Sequence, residues 1–86
     1  MEDFNRKELK KIANDLKPQF NVGKGGVGEG FIESIDKYLQ AHSVVKIKIL
    51  SAESKDEVSK VAHDISMKVD ADILDKKGFT FVLFRD

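Results

Sequence analysis

The spacing of hydrophobic residues changes several times along the chain, and each change marks an element. Leu9, Ile12, Ala13 and Leu16 recur at helical spacing, with Asp3 placed to cap the start. Pro18 disfavours helical geometry in the residue before it, so this first helix is expected to end near Lys17. A short strand over 19–22 follows, with Phe20 and Val22 on one face. Phe31, Ile32, Ile35 and Leu39 form a second amphipathic stripe and predict a helix over 27–41. Over 44–50 the period drops to two: Val45, Ile47 and Ile49 face one way, Lys46 and Lys48 the other. Ser54 followed by Glu57 reads as a capping box, opening a third helix with Val58, Val61, Ala62 and Ile65 inward. A weaker strand is expected over 69–74. Asp75-Lys76-Lys77-Gly78 has turn chemistry, and 79–84 is rich in residues that favour strands.

The predicted order is helix–strand–helix–strand–helix–strand–strand. Helical crossovers imply parallel neighbours, and the last two strands form an antiparallel hairpin. The expected fold is α/β, a single compact domain over 1–86 with three helices and a four-stranded mixed sheet. Phe31, Phe79 and Phe81 fall on apolar stripes and are expected in the core. Phe84 and Tyr38 could stack a base, although core or rim packing fits their positions better.

Composition narrows the class. Eighty-six residues suffice for one hydrophobic core, and 41% hydrophobic with 35% charged residues argues for a folded domain. There is no cysteine, which leaves no disulfide framework or cysteine-based zinc site and suits a reducing cytoplasm. No apolar run reaches the roughly 20 residues that span a bilayer, and the N-terminus lacks a signal-peptide core. A cytoplasmic protein with no membrane association is expected. Fifteen basic and fifteen acidic side chains give a formal net charge of zero. Any polyanionic partner must therefore be met by local clusters of lysine.

Five of the six glycines lie between positions 23 and 30, at a predicted strand-to-helix junction. Glycine lets the backbone approach a ligand closely, and a helix N-terminus offers free N–H groups and partial positive charge, so the junction suits a phosphate. Gly23-Lys24-Gly25-Gly26-Val27-Gly28 satisfies the G-x-G-x-x-G pattern of dinucleotide folds. The acid expected about 20 residues later is replaced near that point by Lys48, and the chain is too short for two mononucleotide halves. Lys24-Gly25-Gly26-Val27-Gly28 also resembles the opening of the phosphate loop in the ATPase family of nitrogenase iron proteins. That loop continues with lysine and a hydroxyl residue, where this chain has Glu29 and Gly30, and a carboxylate there repels nucleotide. The remaining pattern is GxxG: Gly23, Lys24, Gly25 and Gly26, the kind of loop with which KH domains clamp a nucleic-acid backbone.

The surroundings of the loop extend the pattern. A leucine-bearing first helix, a strand, a G-K-x-G loop and a helix are followed by His42, Lys46 and Lys48 in a His-x-x-x-Lys-x-Lys arrangement. A third helix, Ala71 to Leu74, Gly78 and a closing Leu83-Phe84-Arg85 complete it. Over nearly its full length the chain resembles the CRM domain family, including the small bacterial and archaeal YhbY-like proteins. The family loop usually continues with a polar residue and Gly-Leu, where this chain has Gly25-Gly26-Val27. Glu29, Glu33 and Asp36 make the following helix acidic. The resemblance implies RNA binding without catalysis and association with precursor large ribosomal subunits. It also implies a fold similar to the C-terminal domain of the third bacterial translation initiation factor.

The expected binding residues are thus Gly23, Lys24, Gly25, Gly26, Lys46 and Lys48, with Lys24 contacting phosphate beside the helix N-terminus. The expected partner is RNA, ribosomal or otherwise structured, bound by a monomer. The competing class is a protein-interaction module without RNA affinity, which the zero net charge favours. Lys7, Lys10, Lys11 and Lys17 are interrupted by Glu8 and Asp15 and read as a solvated helix face. Lys76 and Lys77 could touch RNA, yet paired lysines in a hairpin turn are ordinary, and Arg85 can pair with an acid. His42 and His63 have no metal-ligand spacing, and His42 suits a helix C-terminus. Asp70, Asp72 and Asp75 follow no calcium-loop spacing. No cofactor, metal or catalytic residue is expected.

Overall fold

The computed structural model describes residues 8, 11, 15–23, 27–52 and 54–85. Six elements follow one another: β1 (Phe20–Val22), α1 (Glu29–His42), β2 (Val44–Ile49), α2 (Lys55–Lys68), β3 (Asp72–Lys77) and β4 (Thr80–Phe84). The four strands form one mixed sheet in the order β1-β2-β4-β3. Of the expected first helix, Glu8, Lys11 and Asp15 are helical. Its stripe residues Leu9, Ile12 and Ala13 and its capping Asp3 lie outside the described residues.

Helices α1 and α2 cover the same face of the sheet. Val45, Ile47 and Ile49 of β2 and Phe81 and Leu83 of β4 join Ile35 and Leu39 of α1 and Val58, Ala62 and Ile65 of α2 in one buried cluster. The alternation of β2 therefore orients that strand as predicted. Ser54 is the N-cap of α2, its Oγ accepting the Glu57 N–H at 3.3 Å. At the far end of α1, Ser43 takes the left-handed conformation (φ 67°) and donates its N–H to the Leu39 carbonyl, closing the helix. Arg85 then ties three elements together. Its guanidinium donates to the Asp36 carboxylate at 2.6 Å, the Asp36 carbonyl at 2.9 Å and the Val69 carbonyl at 2.7 Å.

Three expectations need correction. The first crossover does make parallel neighbours, with Phe20 opposite Ile47 and Val22 opposite Ile49. The second does not: β4 lies between β2 and β3 and is antiparallel to both. The reason lies in side-chain polarity. β4 carries Phe81, Val82 and Leu83, all buried, and so fits the sheet interior, where both faces are covered. β3 carries Asp72, Asp75, Lys76 and Lys77, and charged strands are tolerated at an edge.

The strand expected over 69–74 instead runs from Asp72 to Lys77. Val69 and Asp70 finish the preceding helix, Val69 donating its N–H to Ile65 and Asp70 adopting φ 53°. Asp70 therefore shares no strand face with Asp72. The hairpin turn contracts to Gly78-Phe79, with Gly78 at φ 61°, the first-position glycine of a two-residue type II′ loop. Phe79 is consequently a turn residue, 42% exposed rather than core.

Candidate nucleic-acid interface

The glycine-rich junction is held by aromatic packing on both flanks. The Phe20 ring of β1 packs edge-to-face with Phe31 and Tyr38 on α1, with centroids 5.9 and 5.5 Å apart. Such edge-to-face pairs are worth about 0.5–1.5 kcal/mol each beyond area burial. Val22 before the loop is buried, and Val27 after it packs on the main core. The ends of the loop are therefore fixed in space. Tyr38 is committed to this packing and to the His42 ring, 4.4 Å away, as expected for a rim aromatic.

Of the loop residues, Gly23 is described, while Lys24, Gly25 and Gly26 lie outside the described residues. The Gly23 carbonyl accepts the Ser51 hydroxyl at 3.3 Å. A Cβ built on Gly23 would meet no atom within 4 Å, and its backbone needs no positive φ. The fold does not itself require glycine here, and the space beside the backbone is open. Gly28, the N-cap of α1, supplies no capping side chain to the helix's first turn.

Lys46 and Lys48 share the sheet face opposite α1 and α2, but their surroundings differ. Lys46 is half-buried and committed to the preceding segment. Its ammonium donates to the Leu16 carbonyl at 2.9 Å, its N–H donates to Gln19 Oε1 at 2.9 Å, and its carbonyl accepts the Gln19 N–H. Lys48 is exposed. It stands opposite Asn21 of β1 and Thr80 of β4, one residue pair before the strand end where Gly23 begins. The structure thus brings Gly23 and Lys48 to one end of the sheet and places Lys46 further along the strand.

Pairing across the sheet adds residues that the sequence alone did not single out for this face. Asn21 pairs with Lys48, Lys48 with Thr80, and Thr80 with Lys77. Cross-strand partners project from the same face, so the four form one row. Lys76 points to the other side, its ammonium 3.0 Å from the Ser59 hydroxyl on α2. Strand alternation about Lys76 and Phe81 is the signal that would have placed Lys77 and Thr80, given the correct hairpin.

The other flank of the junction has the opposite character. A groove of about 600 Å³ is lined by Val27, Gly28, Glu29, Ile32, Glu33, Asp36 and Lys68. Its acids are partly compensated, Asp36 by Arg85 and Glu33 by Lys37 at 3.6 Å. The Glu33–Lys37 pair is solvent-exposed and contributes only about 0.3–0.5 kcal/mol. The junction is thus flanked by acids on this side and by lysine on the sheet side. Among the described residues, no cluster of three or more His, Asp or Glu could hold a metal ion, and no helix is long and apolar enough to cross a membrane.

Comparison with known proteins adds to this geometry. The family model described as the CRS1 / YhbY (CRM) domain matches residues 1–85. The chain is 31% identical over 78 residues to a Bacillus subtilis protein named "Probable RNA-binding protein YqeI", covering 91% of this chain and 80% of that protein. It is 25% identical over 80 residues to "Probable RNA-binding protein PA4753" of Pseudomonas aeruginosa, covering 93% and 76% respectively. Its fold is similar to the solution structure of SAV1595 from Staphylococcus aureus, a candidate RNA-binding protein. The TM-score is 0.79 at 26% identity, over 94% of this chain and 83% of that one.

Proposed function

Since the chain belongs to the CRS1/YhbY (CRM) domain family, we propose that it is a non-catalytic, monomeric RNA-binding protein of the cytoplasm. Its ligand in this proposal is structured RNA, ribosomal RNA above all, bound during assembly of the large ribosomal subunit. The relatives named for RNA binding support the ligand class. The observation that carries the proposal is the meeting of Gly23, with open space beside its backbone, and the exposed Lys48 at one end of the sheet.

The mechanism is close approach of the RNA backbone at Gly23, Gly25 and Gly26, with phosphate contact by Lys24. Lys48 supports it directly. Lys46 contributes positive charge from a position already tied to Leu16 and Gln19. The proposal extends to an architecture like that of the C-terminal domain of the third bacterial translation initiation factor. The second reading, a protein-interaction module, draws on the acidic groove along α1 and the zero net charge.

Filter binding of the purified protein to ribosomal RNA across a salt series separates the two. Each phosphate contact removed flattens the log–log salt slope by roughly 0.7 for single strands or 0.9 for a duplex. Lys24→Ala is expected to weaken binding and flatten the slope, and Gly26→Asp to abolish binding with an unchanged melting temperature. Unchanged affinity in both variants refutes the loop mechanism.

A further inference from the structure

The row formed by Asn21, Lys48, Thr80 and Lys77 crosses all four strands at the glycine-loop end. Neighbouring strands lie about 4.8 Å apart, so the row extends roughly 14 Å from β1 to the β3 edge. It holds two ammonium groups and two neutral hydrogen-bonding side chains, with no acid. No salt bridge between described residues engages Lys48 or Lys77. At the same end of the sheet, Leu50 is 60% and Phe79 42% exposed. The Ile49 N–H donates to the Phe79 carbonyl at 2.8 Å, which ties the two segments side by side. A cationic row thus borders an apolar, aromatic rim.

Those two features fit different parts of one ligand. Lysines in line attract consecutive phosphates of any nucleic acid. An exposed phenylalanine beside them gains a partner only when base faces are accessible, which a duplex prevents and an unpaired strand permits. We infer that the bound RNA is an unpaired stretch running from the glycine loop across the sheet to the Gly78-Phe79 hairpin. Lys48 and Lys77 contact successive backbone positions, Asn21 and Thr80 supply hydrogen bonds, and Phe79 stacks on a base. This inference rests on the RNA-binding function proposed above, and it names the form of RNA and the far end of its path.

The test uses the full chain and two fluorescent probes: an oligouridine of about 12 nucleotides, within the range a small domain engages, and a fully paired RNA of the same length. Anisotropy titrations across a salt series compare the wild type with Lys77→Ala, Phe79→Ala and Gly26→Asp. Lys77→Ala is expected to flatten the single-strand salt slope by about 0.7. Phe79→Ala is expected to weaken single-strand binding about tenfold with the slope unchanged and duplex binding unaltered. If Phe79→Ala lowers the melting temperature, Phe79→Trp decides instead. Retained or tighter oligouridine binding then supports the stacking role, and a tenfold loss overturns it. Wild-type affinity and slope in Lys77→Ala and Phe79→Ala, or equal losses on both probes, overturn the inference; if Gly26→Asp still abolishes binding, the loop function stands. Wild-type affinity in Gly26→Asp, or no binding by the wild type, overturns both.

Discussion

Lys46 and Lys48 stand two residues apart on the same strand and the same face, yet they belong to different regions. The Lys46 end of that face is occupied. Leu74 and Val82 are 3% and 2% exposed there, packed with Val44 and Phe84, and Lys46 itself is bonded to Leu16 and Gln19. The Lys48 end is polar and open, with Asn21, Thr80 and Lys77 in line and Leu50 and Phe79 exposed beyond them. One sheet face thus combines a buried, packed half and an open, polar half. Strand alternation says which way a side chain points, but its cross-strand neighbours decide what it can do there.

The contrast can be broken first at its leucines. Leu74→Ala is expected to cost about 2–5 kcal/mol, the range for a buried leucine. Leu50→Ala at the open end should stay within about 0.5 kcal/mol of the wild type. Urea unfolding of both variants checks this, and equal costs would erase the distinction between the two halves.

The lysines give the next largest difference. Lys46→Ala removes the ammonium bond to the Leu16 carbonyl and is expected to lower stability by about 1 kcal/mol. Lys48→Ala should alter stability by less than about 0.5 kcal/mol while flattening the RNA salt slope by roughly 0.7–0.9. Thermal melts and binding titrations on the two variants show whether these roles separate as stated.

The smallest effect concerns Gly23. Because a Cβ there meets nothing and the backbone needs no positive φ, Gly23→Ala is expected to raise stability by up to about 1 kcal/mol by restricting the unfolded chain. It should nonetheless weaken RNA binding, since the methyl group fills the space beside the backbone. A variant both more stable and equally tight-binding would remove Gly23 from the site.

Much of this architecture was legible in short stretches of sequence. The alternation of Val45, Ile47 and Ile49 set the orientation of β2, and Ser54 with Glu57 marked the start of α2 through a local hydrogen bond. The order of the last strands was harder to see. Val69 is apolar and β-branched, yet it closes a helix, because its N–H is used by Ile65 and Asp70 adopts the left-handed conformation. The central place of β4 was encoded in the unbroken run Phe81, Val82 and Leu83, which needs cover on two faces. The difference between Lys46 and Lys48 was not legible at all. It depends on Leu16 and Gln19, 30 and 27 residues away in the chain, and on a hairpin register that only folding establishes. Lys77 reads from sequence as an ordinary turn lysine for the same reason, since the turn expected around it lies at Gly78-Phe79.

The most direct test of the account is an amide chemical-shift titration of the full chain with a short unpaired RNA. The account predicts that the largest perturbations fall on Gly23, Lys24, Gly26, Asn21, Lys48 and Thr80. Val44, Leu74 and Phe84 at the occupied end, and Glu29, Glu33 and Asp36 along the acidic groove, should remain near their free positions. Perturbations concentrated on α1 or on the Val44–Phe84 end, with the loop and Lys48 unmoved, would contradict it.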